Sequence, residues 1–583
     1  MTDQVLSPTA GVLAVVVVTV VTVGIGAVGL RVSRTTSDFY VASRMVSPRW
    51  NASAISGEYL SAASFLGVAG LVLAGGVDML WFPVGYTAGY LVLLVLVAAP
   101  LRRSGAYTLP DFAEQRLESR AVRRISSVLV VGIGVLYLLP QLQGAGLALR
   151  TVTGAPAWVG AALVAATVVL NVLAGGMRSI TLVQAFQYWL KLTALAVPLV
   201  LLLLAWRGDG APTPLGAELP VARETTTVTL PSGTEIRADQ ATTVLVDGDR
   251  TALAAGDSLS LDAGTTVTVP AGEIVPHAER LTATTGDEWA LPLVGSGREH
   301  PLYATYSLLL ALFLGTMGLP HVLVRFYTNR DGVAARRTTL VVIGLLGVFY
   351  LFPPLYGALG RLYATDLLLT GRTDAVVLTL PGRMLPDPWA DLVGALVVAG
   401  AFAAFLSTSS GLVVSVAGVL SQDLLPAESS LSGHRFRTSS VRLFRIAAVL
   451  AVVVPFTLSL LSYRVGLADT VGLAFALAAS TFCPLLVLGI WWRGLTATGA
   501  VAGLLTGGTL AGAAVTTTML RGPLDGWAGA LLAQPAAWTV PAAFAVMVVV
   551  SVATSSRVPP HVGRTMVALH APERRVTRDR VTG

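Results

Sequence analysis

Apolar positions dominate this chain in long blocks, and most polar positions fall between the blocks rather than alternating within them. A helix needs about 20 mostly apolar residues to cross a bilayer. Thirteen stretches meet that need, at about 9–30, 50–76, 79–101, 125–149, 156–175, 181–206, 301–324, 338–361, 389–421, 441–463, 467–492, 496–519 and 535–556. Residues 207–300 do not. They are rich in Thr, Asp, Gly and Val, and runs such as TTTVTL, TTVLVDG and TTVTVPAG alternate with period 2 between Pro-Ser-Gly, Asp-Gly and Ala-Gly. That pattern predicts short β-hairpins. From Asp209 to Glu299 there are 14 acidic residues against 5 arginines, which suits an extracytoplasmic face. Such an insertion shields a pathway mouth or binds a partner; the alternative is a tolerated addition with no transport role. The predicted fold is an all-α polytopic membrane protein with a small β-rich insertion. Helices 1–6 occupy 1–206, the insertion 207–300, helices 7–13 occupy 301–556, and a basic tail covers 557–583.

Two spans contain residues that weaken a membrane helix. In the second, ISGEYLSAASFLG (55–67) carries a carboxylate, three serines and two glycines. In the seventh, GTMGLPH (315–321) carries Pro320, which removes an N–H and clashes with the preceding turn. Interrupted helices survive in a bilayer only where protein or a wet cavity satisfies their backbone. The two breaks lie five spans apart, so 50–206 and 301–492 read as inverted repeats with a site between them; two independent kinks are the alternative. Carbonyls freed at a break are oxygen ligands for a hard cation. Span nine offers partner hydroxyls in AFAAFLSTSSG (401–411), where helical spacing puts Ala404, Ser407, Thr408, Gly411 and Ser415 on one side. The alternative for these serines is packing, with each hydroxyl bonded to the preceding turn.

Composition narrows the class. The 583 residues are 54% hydrophobic and 12% charged, far below the charge content of a soluble protein. The formal charge of +7 does not point to nucleic acid, because arginines cluster in short loops. They follow the odd-numbered spans: Arg31, Arg34, Arg44 and Arg49; Arg102, Arg103, Arg116, Arg120, Arg123 and Arg124; Arg325, Arg330, Arg336 and Arg337; Arg435, Arg437, Arg442 and Arg445; then the tail with Arg574, Arg575, Arg578 and Arg580. This alternation predicts a multi-pass protein of the cell membrane with its N-terminus outside and its C-terminus cytoplasmic. MTDQVLSP lacks the basic start of a cleavable signal. The single cysteine, Cys483, allows no internal disulfide. No zinc-protease, nucleophile–base or P-loop spacing is present, so an enzyme is not expected. Lys191 is the only lysine among 39 Lys+Arg.

These elements together resemble the sodium:solute symporter family, and within it the cation/acetate (monocarboxylate) symporters. The resemblance rests on DFYVASR (38–44), GEYLSAASFLG (57–67), YTLPDF (107–112), GTMGLPHVLVRFYT (315–328), AFAAFLSTSSG (401–411) and VGLAFALAAS (471–480), and spans nearly all of the chain except 207–300 and the tail. It implies a LeuT-like 5+5 inverted repeat with an extra N-terminal helix, and alternating access driven by a cation gradient. It also implies a Na+ site with the carbonyls of Gly57, Leu60 and Ala404 and the hydroxyls of Ser407 and Thr408. The hydroxyls favour Na+ as the coupling ion without excluding H+, and no organic cofactor is expected. Two positions depart from the family. Glu58 stands where the acetate branch usually has Asp, and Gln184 stands where some relatives carry an Asp that assists sodium.

The implied substrate is acetate or a similar short monocarboxylate. A small anion should meet half-helix N-termini and hydroxyls, which places it near Ser61, Ser64, Thr316 and Gly318. Tyr86 and Gln141 are candidates for the lining, although Gln141 equally suits an interhelical hydrogen bond. Glu58, Lys191 and His321 are the candidates for coupling or gating, since ionisable groups in a membrane are costly. Glu58 relays a proton or guards the cytoplasmic path, or else pairs with a neighbouring cation. Lys191 pairs with a carboxylate or attracts the anion, or else snorkels to an interface. His321 suits polar packing better than titration. The expected partners are the small substrate and the lipid bilayer, with no nucleic acid and no obligate protein. The rival readings are a symporter for another small solute, such as an amino acid, and a transporter-like sensor.

Overall fold

A computed structural model of the chain describes residues 7–30, 46–230, 233–279, 281, 284–294, 299–424, 440–460, 466–521 and 524–571. The DFYVASR motif, several of the loop arginines (31, 34, 44, 435 and 437) and those of the tail lie outside them. Among the described residues, eleven helices are long and apolar enough to cross a membrane, and Ala157–Leu173 is a shorter apolar helix. One of the eleven, Ala63–Leu96, is interrupted at Gly76, whose φ of 65° ends one helix before the next begins at Trp81. Divided there and joined by the shorter helix, the set matches the thirteen expected spans.

The main helices are α1 (Pro8–Leu30), α2 (Pro48–Tyr59), α3 (Val68–Gly75), α4 (Trp81–Leu96), α5 (Arg120–Thr153), α6 (Ala157–Gly208), α7 (Pro301–Thr316), α8 (Pro320–Val324), α9 (Gly332–Phe349), α10 (Trp389–Val419), α11 (Ser440–Ser459), α12 (Leu467–Trp491), α13 (Ala497–Arg521) and α14 (Ala536–Ala553). The two spans expected at 156–175 and 181–206 form the single helical run α6. A straight helix of 52 residues would be about 78 Å long, more than twice a hydrocarbon core. The run must bend. Val164 and Val168 share a lining with Ser409 and Val413 of α10, while Gln184 bonds the carbonyl of Ser407, two residues before Ser409 on the same helix. Both arms of α6 therefore pack against one region of α10.

The insertion is β-rich, as its alternation predicts. Its strands are β1 (Thr226–Thr229), β2 (Thr234–Arg237), β3 (Thr242–Val246), β4 (Asp249–Leu253), β5 (Ser258–Leu261), β6 (Thr266–Val269) and β7 (His277–Ala278). They form one sheet in the order β1-β6-β3-β4 and a second in the order β5-β2-β7, all antiparallel. The Asp247-Gly248 turn joins β3 to β4 with both residues at positive φ, the geometry a two-residue hairpin requires. Val228, Ile236, Val244 and Val267 face a common interior, which Leu369 of the helical part helps to close.

The insertion is fastened to the helices. Trp289 is 6% exposed, its indole N–H donates to the Val72 carbonyl at 2.7 Å, and the Arg361 guanidinium lies 5.4 Å from its ring centre. Arg361 also donates to the Thr284 carbonyl at 2.5 Å. At the exit of α6, hydrogen bonds from Tyr363 and Arg223 hold the Asp209 carboxyl below its usual range.

Candidate functional site

Both expected breaks are present. Helix α2 ends at Tyr59, and Leu60, at φ −74° and ψ 90°, leaves helical geometry. A five-residue π-turn at Ala63–Gly67 then leads into α3. Helix α7 ends at Thr316, and α8 restarts with Pro320 in its first turn, where a missing N–H costs nothing. At the breaks themselves, the hydroxyls of Tyr59 and Thr316 are 3.1 Å apart. Tyr59 also reaches the Tyr86 carbonyl at 3.1 Å.

The groups freed at the first break find partners on neighbouring helices, as burial demands. The Ala62 N–H donates to Oε1 of Gln141 at 2.9 Å. The Glu58 carbonyl accepts from Oγ1 of Thr408 at 2.6 Å. The carbonyls of Gly57 and Leu60 both accept from Nζ of Lys191, at 2.5 and 2.7 Å. The third acceptor of Lys191 is Oγ of Ser407 at 3.0 Å, and Ser407 in turn donates to the Ala404 carbonyl at 3.1 Å. The five residues expected around a cation thus converge. Gly57, Leu60 and Ser407 meet the lysine ammonium directly, Ala404 is one hydrogen bond away, and Thr408 holds the neighbouring Glu58 carbonyl. Gly57 is needed for the approach of α6, because an added Cβ would lie 2.2 Å from the Gln184 carbonyl oxygen.

Lys191 is fully buried, so it does not snorkel, and its hydrogen-bond acceptors are uncharged oxygens. Glu58 has a different cation. Nε of Arg325 lies 2.5 Å from its Oε2, with both side chains about 1% exposed. Arg325 also donates to Oγ1 of Thr181 at 2.8 Å and to Oε1 of Gln184, while Nε2 of Gln184 donates to the Ser407 carbonyl at 2.7 Å. Arg325 belongs to this network and not to a solvated loop, a place that counting loop arginines cannot reveal. Arg116 is a second such case, bonded to the carbonyls of Gly489 and Trp492 at 2.8 and 3.0 Å.

The residues expected around the substrate divide. Oγ of Ser64 is 2.8 Å from the Tyr350 hydroxyl, and Oγ1 of Thr316 donates to the Leu312 carbonyl at 2.7 Å. Gln141 makes an interhelical bond at the break, and Gly318 packs on Ala478 of α12. Ser61 is buried beside Tyr137. The hydroxyls of Tyr86 and Tyr90 and both ring nitrogens of His321 are buried without a protein partner. Aromatic rings surround them: Tyr59 and Tyr86 each pack on Phe475, and Tyr137 lies 5.0 Å from the His321 ring and 6.0 Å from that of Phe475. Tyr59, Tyr90, Tyr137, Tyr350 and Phe475 escape a reading of sequence motifs, because aromatic residues in apolar spans carry no spacing signal of their own.

Comparison with known proteins follows the same lines. The profile of the sodium:solute symporter family matches residues 39–229 and 283–507, leaving out most of the insertion. An uncharacterised symporter of Bacillus subtilis, YwcA, is 28% identical over 475 residues, covering 82% of this chain and 80% of the relative. A protein of Corynebacterium glutamicum named a monocarboxylic acid transporter is 29% identical over 494 residues, covering 82% of this chain and 78% of the relative. Among solved structures, a Na+-coupled sialic acid symporter in a substrate-bound outward-open state aligns with a TM-score of 0.60 at 13% identity, over 93% of this chain and 98% of that one. Mhp1, a nucleobase-cation-symport-1 family transporter in a closed conformation, aligns with a TM-score of 0.50 at 13% identity, over 92% of this chain and 99% of that one. At such identities these likenesses establish the fold, which is LeuT-like.

Proposed function

Because the chain belongs to the sodium:solute symporter family, a family of cation-coupled solute carriers, we propose that it imports acetate or a similar short monocarboxylate by alternating access. The observation that carries this reading is a cluster of buried polar groups without protein partners, set among aromatic rings near the two helix breaks. The Tyr86 and Tyr90 hydroxyls and the His321 ring are buried without protein partners, among the rings of Tyr59, Tyr137 and Phe475. Buried polar groups need partners, and a small carboxylate supplies two acceptor oxygens where hydroxyls can donate. The name of the Corynebacterium relative supports the same substrate class. In this reading Ser61 and Ser64 hold the carboxylate from the first break and Thr316 and Gly318 face it from the second. Sodium is the coupling ion that family membership implies. The N-terminus is outside, following the loop arginines.

The test is uptake of labelled acetate into liposomes holding the purified protein, under an inward sodium gradient or an inward proton gradient. Saturable, gradient-dependent accumulation is expected. No uptake under either gradient would overturn the substrate assignment, and a competition panel of amino acids would then identify the rival substrate.

A further inference from the structure

The site expected to hold sodium is filled by the end of a lysine side chain. The Gly57 and Leu60 carbonyls and the Ser407 hydroxyl suit a hard cation, yet the point on which they converge is occupied by Nζ of Lys191, at 2.5, 2.7 and 3.0 Å. We propose that the Lys191 ammonium is the resident cation of this site, tethered by its own helix, so that the position does not bind free sodium. The inference rests on reading these residues as the family's cation site. Any sodium dependence of the chain must then arise elsewhere.

Three observations carry it. The first is donor arithmetic. A lysine ammonium has three N–H donors and no acceptor, and three oxygens from two different elements receive them. The second is charge. Glu58, next to Gly57 in the chain, pairs with Arg325, and the hydrogen-bond acceptors of the lysine are uncharged oxygens. The third is residue choice. Every other Lys+Arg position in the chain is arginine. A planar guanidinium carries five donors in a fork and fits carboxylates side-on, whereas an ammonium is a compact point charge. At the one place where a small spherical cation is wanted, the chain has a lysine. The ammonium ties the first broken helix to α10 from a third helix, α6, and so performs the joining role that an ion between the same oxygens would perform.

The test reads ion binding without relying on transport. Thermal unfolding of the purified full chain is followed while sodium chloride replaces choline chloride at constant ionic strength and pH. The wild type is expected to show no sodium-specific rise in unfolding temperature that depends on Ser407. Lys191→Met removes the charge at similar length and opens the site, and a saturable sodium-specific rise of about 2–4 °C is expected. Adding Ser407→Ala should abolish that rise. A saturable sodium response in the wild type that Ser407→Ala removes would overturn the proposal. So would a folded Lys191→Met protein with no sodium response. A wild-type response that survives Ser407→Ala supports it, because sodium is then bound at another place. If Lys191→Met does not fold, the wild-type and Ser407→Ala measurements decide alone. None of these readouts uses acetate, so absence of acetate uptake would overturn the substrate reading and leave this one standing.

Discussion

Arg325 and Glu58 form an ion pair between the two repeats, with both side chains about 1% exposed and Nε 2.5 Å from Oε2. One partner leaves the first broken helix and the other follows the second break. The pair therefore fixes the distance between the repeats on one side of the site. Removing one member strands the other as a buried charge, which costs about 3–5 kcal/mol. Glu58→Gln is expected to destabilise the protein by that amount in chemical unfolding. Combining it with Arg325→Met should recover part of the loss. Glu58→Asp keeps the charge but shortens the reach and should fall between them.

Gly411 on α10 gives an independent probe of the same pair. A Cβ added there would lie 1.9 Å from Oε1 of Glu58, so Gly411→Ala must displace the carboxylate. Its expected effect resembles that of Glu58→Gln, with lowered thermal stability and lost uptake. Gly418→Ala is the control, because nothing lies within 4 Å of its added Cβ. If both alanines behaved alike, the packing of Glu58 on α10 would be wrong.

Among the buried aromatic residues near the breaks, Tyr86→Phe removes one hydroxyl and no ring. If that hydroxyl donates to the substrate carboxylate, the loss is about 1–1.5 kcal/mol and KM for acetate rises about fivefold to tenfold. The variant should unfold at the wild-type temperature, since the hydroxyl has no protein partner. An unchanged KM would take Tyr86 out of the binding site.

Trp289 tests the attachment of the insertion. Trp289→Ala deletes the buried ring and its bond to the Val72 carbonyl, a change of about 3–5 kcal/mol. The sheets keep their own core, so they should stay folded while the junction opens. Hydrogen exchange at residues 284–294 and at the end of α3 would then speed up, with strands β3 and β6 unaffected. Trp289→Phe should produce a smaller effect of the same kind.

Much of this architecture is legible in the sequence because a bilayer leaves few choices. Apolar length gives the spans, and alternation with Asp-Gly turns gives the hairpins. Proline and serine within apolar runs give both breaks. The residues around Lys191 could be named because freed carbonyls and a row of hydroxyls are local signals. What occupies their centre was not legible. Lys191 lies about 130 residues from Gly57 and more than 200 from Ser407, and only the fold brings the three together. Arg325 was hidden for another reason. Its neighbours place it at the end of a span, where arginine usually meets water, and a buried partner leaves no mark on composition. That the two expected spans form one helical run also escaped, since Gly175-Gly176 and Arg178 read as a loop between two apolar blocks.

A chain with one lysine offers a spectroscopic opportunity. Protein made with isotopically labelled lysine would give a single side-chain ammonium signal, and that signal would come from between α2, α6 and α10. Alternating access separates a broken helix from its scaffold, so Nζ would have to exchange its acceptors as the site opens. The position of one resonance, followed as solute is added, would report which face of the carrier is open, without an engineered label.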